Sequence, residues 1–144
     1  MNEKIRNEDN INWEEMSVLV VDDEEHIRKL VMRSVQNKGA KADNASNGQI
    51  GLQKLLNDNF DILVVDMRMA RMGGIMFIRE ALNIWPWLGV VVITGYSNSE
   101  TIKELHEIGV KRILEKPFEL DVLLNEIAQE YSEKYRETKE YREV

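Results

Sequence analysis

Three stretches of the chain are apolar almost without interruption: Val18 to Val21, Ile62 to Val65 and Val90 to Ile93. Each is short and rich in β-branched residues, the pattern of a strand covered on both faces. Two more polar stretches, Lys41 to Ala45 and Arg112 to Glu115, predict weaker strands. Between the strands the apolar residues recur at helical spacing. Ile27, Leu30, Val31, Ser34 and Val35 lie on one helix face, closed by Gly39. Asn47 is placed to cap a second helix carrying Leu52, Leu55 and Leu56. A third helix runs from about Gly74 through Phe77, Ile78, Ala81 and Leu82 and stops before Pro86. A fourth opens at "SNSE", where Ser97 and Glu100 have capping-box spacing, and ends at Gly109. A fifth begins near Leu120 and continues through Leu123, Leu124, Ile127 and Tyr131. Five strand-helix alternations predict an α/β fold, a doubly wound (βα)5 unit with a parallel sheet and helices on both faces.

The ends depart from this pattern. Residues 1–15 read as a loosely held extension, and "SEKYRETKEYREV", residues 132–144, as a charged helical tail. With 144 residues, 43% of them hydrophobic and 31% charged, the chain suits one domain with one sizeable core. It has no cysteine, which excludes disulfides and thiolate metal sites. No apolar run is long enough to span a bilayer, and the polar start has no signal-peptide core. A net charge of −7 argues against binding nucleic acid. The expectation is a soluble cytoplasmic protein whose partners are at least locally cationic.

In an open parallel sheet, ligands bind beyond the carboxyl ends of the strands. Those ends carry Asp22 and Asp23 after the first strand, Asp66 at the third, Thr94 at the fourth, and Lys116 followed by Pro117 after the fifth. Singly, each has a local explanation. Asp22 and Glu25 have capping-box spacing, Asp66 can cap a turn, Thr94 can bond backbone, and Lys116 can be solvated. Together they collect three carboxylates, a hydroxyl and an ammonium on one rim. Such a set supports phosphoryl transfer to a carboxylate. Asp23 and Asp66 offer the hard oxygens that Mg2+ prefers, Lys116 and Thr94 offer donors for phosphate oxygens, and Asp66 offers a nucleophile. Neither a P-loop nor a dinucleotide-binding glycine turn is present, and four acids after the first strand would repel a flavin phosphate.

The segments "VVDDEEHIRKL", "DILVVDMRMARMGG", "VVVITGYS" and "ILEKPF" resemble the receiver domain of bacterial two-component response regulators, over about residues 16–131. The resemblance implies a flavodoxin-like sandwich with strand order 2-1-3-4-5, the order that a member of this family exemplifies. It implies Asp66 as phosphoacceptor and Asp23 as a direct ligand of Mg2+. Asp22 would act mainly through water, and the backbone carbonyl of Arg68 would complete the metal site. Thr94 would be the switch hydroxyl and Lys116 the phosphate contact, with a cis bond to Pro117. The donor would be a sensor histidine kinase or phosphotransfer protein. The fourth helix, fifth strand and fifth helix would pass the signal to a downstream protein target, an attached output domain or a second copy of the chain. No contact with nucleic acid or membrane is expected of this domain. Such a switch catalyses its own phosphorylation and turns over no separate substrate, so it is not counted as an enzyme.

Departures from the family pattern carry expectations of their own. Ile113 stands where an aromatic residue is usual, Ala70 where proline is common and Gly73 where aspartate is common. Arg68 and Tyr96 occupy positions that control water access, and their bulk implies slow dephosphorylation. A pseudo-receiver acting through protein contacts alone is the competing reading. A phosphatase is a third, though the D-x-D acceptor motif is missing. His26 and His106 are expected to be solvated, Met67, Met69, Met72 and Met76 to fill gaps around the third helix, and Trp85 and Trp87 to pack the loop before the fourth strand.

Overall fold

The computed structural model describes residues 11–67, 73–95 and 98–143, with side chains described through residue 135. Strands β1 (Ser17–Val21), β2 (Lys41–Ala45), β3 (Ile62–Asp66), β4 (Gly89–Thr94) and β5 (Arg112–Glu115) form one parallel sheet. Their order is β2-β1-β3-β4-β5, as the resemblance implied. Helices α1 (Glu25–Asn37), α2 (Gly48–Asn57), α3 (Gly74–Ile84), α4 (Ser99–Glu107) and α5 (Leu120–Glu143) connect and follow them.

Alternation along the strands divides the core in two, because successive side chains point to opposite faces. Val18, Val20, Ile62, Val64, Val91 and Ile93 pack with Val31 and Val35 of α1 and with Leu123 and Ile127 of α5. Leu19, Val21, Leu63, Val65, Val90 and Val92 pack with Leu55 of α2, Phe77 and Ile78 of α3, and Leu105 of α4. Both faces of β1, β3 and β4 are covered, which accounts for their continuous apolar runs. The polar strands β2 and β5 are the sheet edges.

The helix boundaries follow local chemistry. Asn47 accepts a hydrogen bond from the Ile50 N–H at 2.9 Å and starts α2. Gly39 follows α1 at φ 111°, a left-handed turn that a Cβ would strain. Five expectations need correction. The segment before β1 is not loosely held over its described part, since Trp13–Glu15 form a 3-10 turn and Ile11 and Trp13 pack against the core shared by α1 and α5. Asn98, not Ser97, caps α4, accepting from the Thr101 N–H at 2.8 Å; Ser97 itself lies outside the described residues. Leu30 and Leu56 are exposed, because Ile27, Val31 and Val35 lie on the centre line of α1, and Gly51 and Leu55 on that of α2. Met67 packs on the core but Met76 is exposed; Met69 and Met72 lie outside the described residues. Trp85 packs against the core, whereas Trp87 points outward.

Arg112 and Glu130 dock α5 on the end of the sheet remote from the acidic rim. Glu130, buried, accepts from the Val90 N–H and from Arg112 Nε, each at 3.1 Å. Arg112 also donates to Glu126 and Glu133, each at 2.7 Å. Burial alone would lower the basicity of Arg112; these carboxylates more than offset it and raise the pKa above its ordinary value.

Candidate functional site

The carboxyl ends of β1, β3, β4 and β5 converge, and the backbone ladder continues beyond them. The Asp22 N–H donates to Ala45 O at 3.1 Å, the Met67 N–H to Ile93 O at 3.0 Å, and the Lys116 N–H to Thr94 O at 2.8 Å. Each rim residue therefore starts from a backbone position fixed by its neighbouring strand. Asp22, Asp66 and Thr94 are each only 2% exposed, while Asp23 faces solvent. The carboxylates of Asp22, Asp23 and Asp66 offer oxygens that all lie within 4.8 Å of one another. Lys116 Nζ donates to Asp66 Oδ2 at 2.6 Å. The Lys116–Pro117 bond is cis. The rim thus brings together Asp22, Asp23, Asp66 and Lys116, with Thr94 at the adjoining strand end.

Two carboxylates at such a separation repel by roughly 3 kcal/mol at an effective dielectric of about 20. Burial pushes the Asp22 carboxyl up from 3.8 to about 6, and the neighbouring charge of Asp66 adds to the rise. A hydrogen bond from the Glu24 N–H, at 2.9 Å, and the charge of Lys116 pull the other way without cancelling it. That bond, across two residues, is the local role Asp22 plays at the start of α1; a capping box with Glu25 does not form, since the helix begins at Glu25 behind the cap residue Glu24. A buried carboxyl whose pKa is pushed this far above its ordinary value marks a place short of positive charge. A small divalent cation with oxygen preference fits that donor set, and Lys116 supplies only part of the compensation.

A model of the response regulator receiver domain family matches residues 18–128, which takes in β1 from Val18 onward, the other four strands whole, and every rim residue described above. The chain belongs to that family. Among curated relatives of this receiver, the transcriptional regulatory protein ZraR of Klebsiella oxytoca is 32% identical over 113 residues, covering 78% of this chain and 26% of ZraR. The chain thus spans about a quarter of that regulator's length. The response regulator receiver protein CpdR of Brucella abortus is 28% identical over 110 residues, 76% of this chain and 92% of CpdR. Among solved structures, the beryllofluoride-activated NtrC4 receiver domain dimer aligns with a TM-score of 0.77 at 30% identity, over 82% of this chain and 98% of that one. Receiver domains are the phosphorylation switches of two-component systems, and this chain is one of them.

Two residues inferred from the receiver resemblance, Arg68 and Tyr96, lie outside the described residues. Ile113 is half-buried and packs with Ile108 against the core shared by α3 and α4, so no aromatic ring stands at that place in β5. His26 and His106 are exposed, as expected; His106 Nδ1 also lies 3.0 Å from Val110 O at the end of α4. No helix among the described residues is long and apolar enough to cross a membrane.

One residue close to the rim escaped the sequence reading. Arg28, in the first turn of α1, donates from Nη1 to the Asp22 carbonyl at 2.8 Å and from Nε to Asn44 Oδ1 on β2 at 2.7 Å. Helical side chains lean toward the helix N-terminus, which brings Arg28 back over the rim. Its distance of five residues from Asp23 was the available signal, but only the neighbouring strand gives it a second partner.

Proposed function

We propose that Asp66 accepts a phosphoryl group from the phosphohistidine of a sensor histidine kinase or a phosphotransfer protein, with Asp23 and Asp66 as direct carboxylate ligands of Mg2+, Asp22 acting on it mainly through water, Thr94 as the switch hydroxyl and Lys116 as the phosphate contact. The reading rests on the 4.8 Å cluster of three carboxylates with the Lys116 ammonium 2.6 Å from Asp66. A carboxylate oxygen of Asp66 attacks phosphorus as the bond from phosphorus to the donor imidazole breaks. The imidazole departs and the protein keeps an acyl phosphate. Bound Mg2+ supplies charge neutralisation on the phosphoryl oxygens and separates them from the acids. Lys116 carries a mobile charge that can follow a phosphoryl oxygen from its place on Asp66.

By the family resemblance, the Arg68 carbonyl completes the metal ligands. The bulk of Arg68 and Tyr96 keeps water from the acyl phosphate, so its half-life in purified protein with Mg2+ should exceed seconds. Residues 16–131 act as the receiver unit, preceded by an extension over 1–15 and followed by a helical tail over 132–144. The face formed by α4, β5 and α5 carries the signal to a downstream protein, an attached output domain or a second copy of the chain. The protein catalyses its own phosphorylation and turns over no separate substrate.

Incubation with acetyl phosphate and Mg2+ tests this reading. One labile phosphate per chain, lost in Asp66→Asn and in the presence of a chelator, is the expected result. A protein that gains none is a module working through contacts alone. One that steadily releases phosphate from unrelated monoesters is a phosphatase. Either outcome overturns the proposal.

A further inference from the structure

We infer that Arg28 is a positioning residue for the cation site, orienting the peptide between Asp22 and Asp23 from behind. The inference rests on the proposed assignment of Asp23 as a direct Mg2+ ligand, with Asp22 acting mainly through water.

Besides the side-chain hydrogen bond it shares with Asp66, Asp22 is held at three points. Its N–H donates to Ala45 O, one carboxylate oxygen accepts from the Glu24 N–H, and its carbonyl accepts from Arg28 Nη1. The third point differs from the others in what it controls. The Asp22 carbonyl belongs to the peptide that leads into Asp23, so fixing its direction fixes where Asp23 leaves the strand end. Asp23 is the exposed member of the acidic set, without the surrounding packing that holds Asp22 and Asp66. Backbone orientation is therefore the main determinant of where its carboxylate sits.

Arg28 is itself braced. Asn44 Oδ1 receives its Nε, and Asn44 is anchored in turn. Its backbone pairs with Val20 in the sheet, its carbonyl accepts from Lys54 Nζ at 2.5 Å, and its side-chain nitrogen lies 3.3 Å from Met32 Sδ. Both acceptors lie within hydrogen-bond reach of one planar, permanently charged fork, a geometry that a lysine ammonium reproduces only in part. The bonds run from edge strand β2 through α1 to the peptide that presents Asp23. Groups that orient metal ligands in this way typically change metal affinity by about 10-fold or more when removed.

The test is a calorimetric titration with Mg2+, well above the pKa of Asp22, on the wild-type protein and on Arg28→Met, Arg28→Lys and Asn44→Ala. Arg28→Met should weaken Mg2+ binding about 10-fold. Asn44→Ala should weaken it less, Arg28→Lys should fall between wild type and Arg28→Met, and Arg28→Met with Asn44→Ala should be no worse than Arg28→Met alone. A general loss of stability would lower the melting temperature without producing this order of affinities. Wild-type Mg2+ affinity in Arg28→Met, whatever its melting temperature, overturns the inference. If that variant does not fold, unchanged affinity in both Asn44→Ala and Arg28→Lys overturns it equally. A wild-type protein that binds no Mg2+ overturns the cation reading itself, and this inference with it.

Discussion

Asp22 sits 2% exposed beside a second carboxylate, and its proton affinity carries that strain. The folded protein holds a proton on it up to about pH 6, whereas the ordinary value is 3.8. Between those values the native state binds more proton than the unfolded chain, so the contribution to stability is fully present below the lower value and is lost as pH rises through the upper one. Metal-free protein should therefore resist urea better near about pH 5 than near about pH 7, and Asp22→Asn should flatten that part of the profile. Mg2+ bound at this rim would compete with that proton, so its affinity should drop on acidification through about pH 6. Lys116 offers a second test. Lys116→Met leaves Asp66 buried without its cation, which should cost about 3 kcal/mol in urea unfolding without metal, part of it restored by Mg2+. At this scale the acids, Thr94 and Lys116 were legible because strand ends are legible. Arg28 was not, since a polar residue on a helix gives no sign of which carbonyl lies beneath it.

Burial on both faces made β1, β3 and β4 easy to find, and the same physics made β2 and β5 faint. An edge strand such as "KADNA" keeps polar side chains, and only pairing with β1 makes it a strand. Boundaries of α2 and α4 came from capping chemistry, and the one-residue error at α4 arose because Ser97 and Asn98 can both serve as caps. The docking of α5 was not readable, because it depends on Glu130 reaching the first residues of β4. Helix α5 has 24 residues, a length of about 36 Å at 1.5 Å per residue, and so outruns the sheet beneath it. Its anchorage is the Arg112 cluster together with Leu123 and Ile127. Glu130→Ala would strand the Val90 N–H and remove the most buried acid from Arg112. We expect a loss of about 3 kcal/mol in urea unfolding, with melting of α5 visible by circular dichroism. A change below about 1 kcal/mol would show that apolar contacts alone seat the helix.

For the molecule as a whole, the order of the strands came from family likeness, since periodicity fixes elements and not their neighbours. What the order achieves is convergence: placing β1 between β2 and β3 sets Asp22 and Asp23 beside Asp66, and β4 and β5 bring Lys116 against it. The price of that convergence is carboxylate repulsion, which a bound divalent cation would relieve. Mg2+ at 100 times its dissociation constant should add about 2.7 kcal/mol to global stability, and Asp23→Asn should abolish the response while stabilising the metal-free fold. A fold loosened by Asp23→Asn in the absence of metal would instead mark Asp23 as a structural cap.

Borohydride reduces an acyl phosphate on aspartate to homoserine, so the modified position can be read directly by peptide mapping after labelling with acetyl phosphate. Homoserine at position 66 alone, appearing only when Mg2+ is present, is the predicted result. Homoserine at position 22 or 23, or equal labelling at position 66 with all divalent cation removed, would contradict the account.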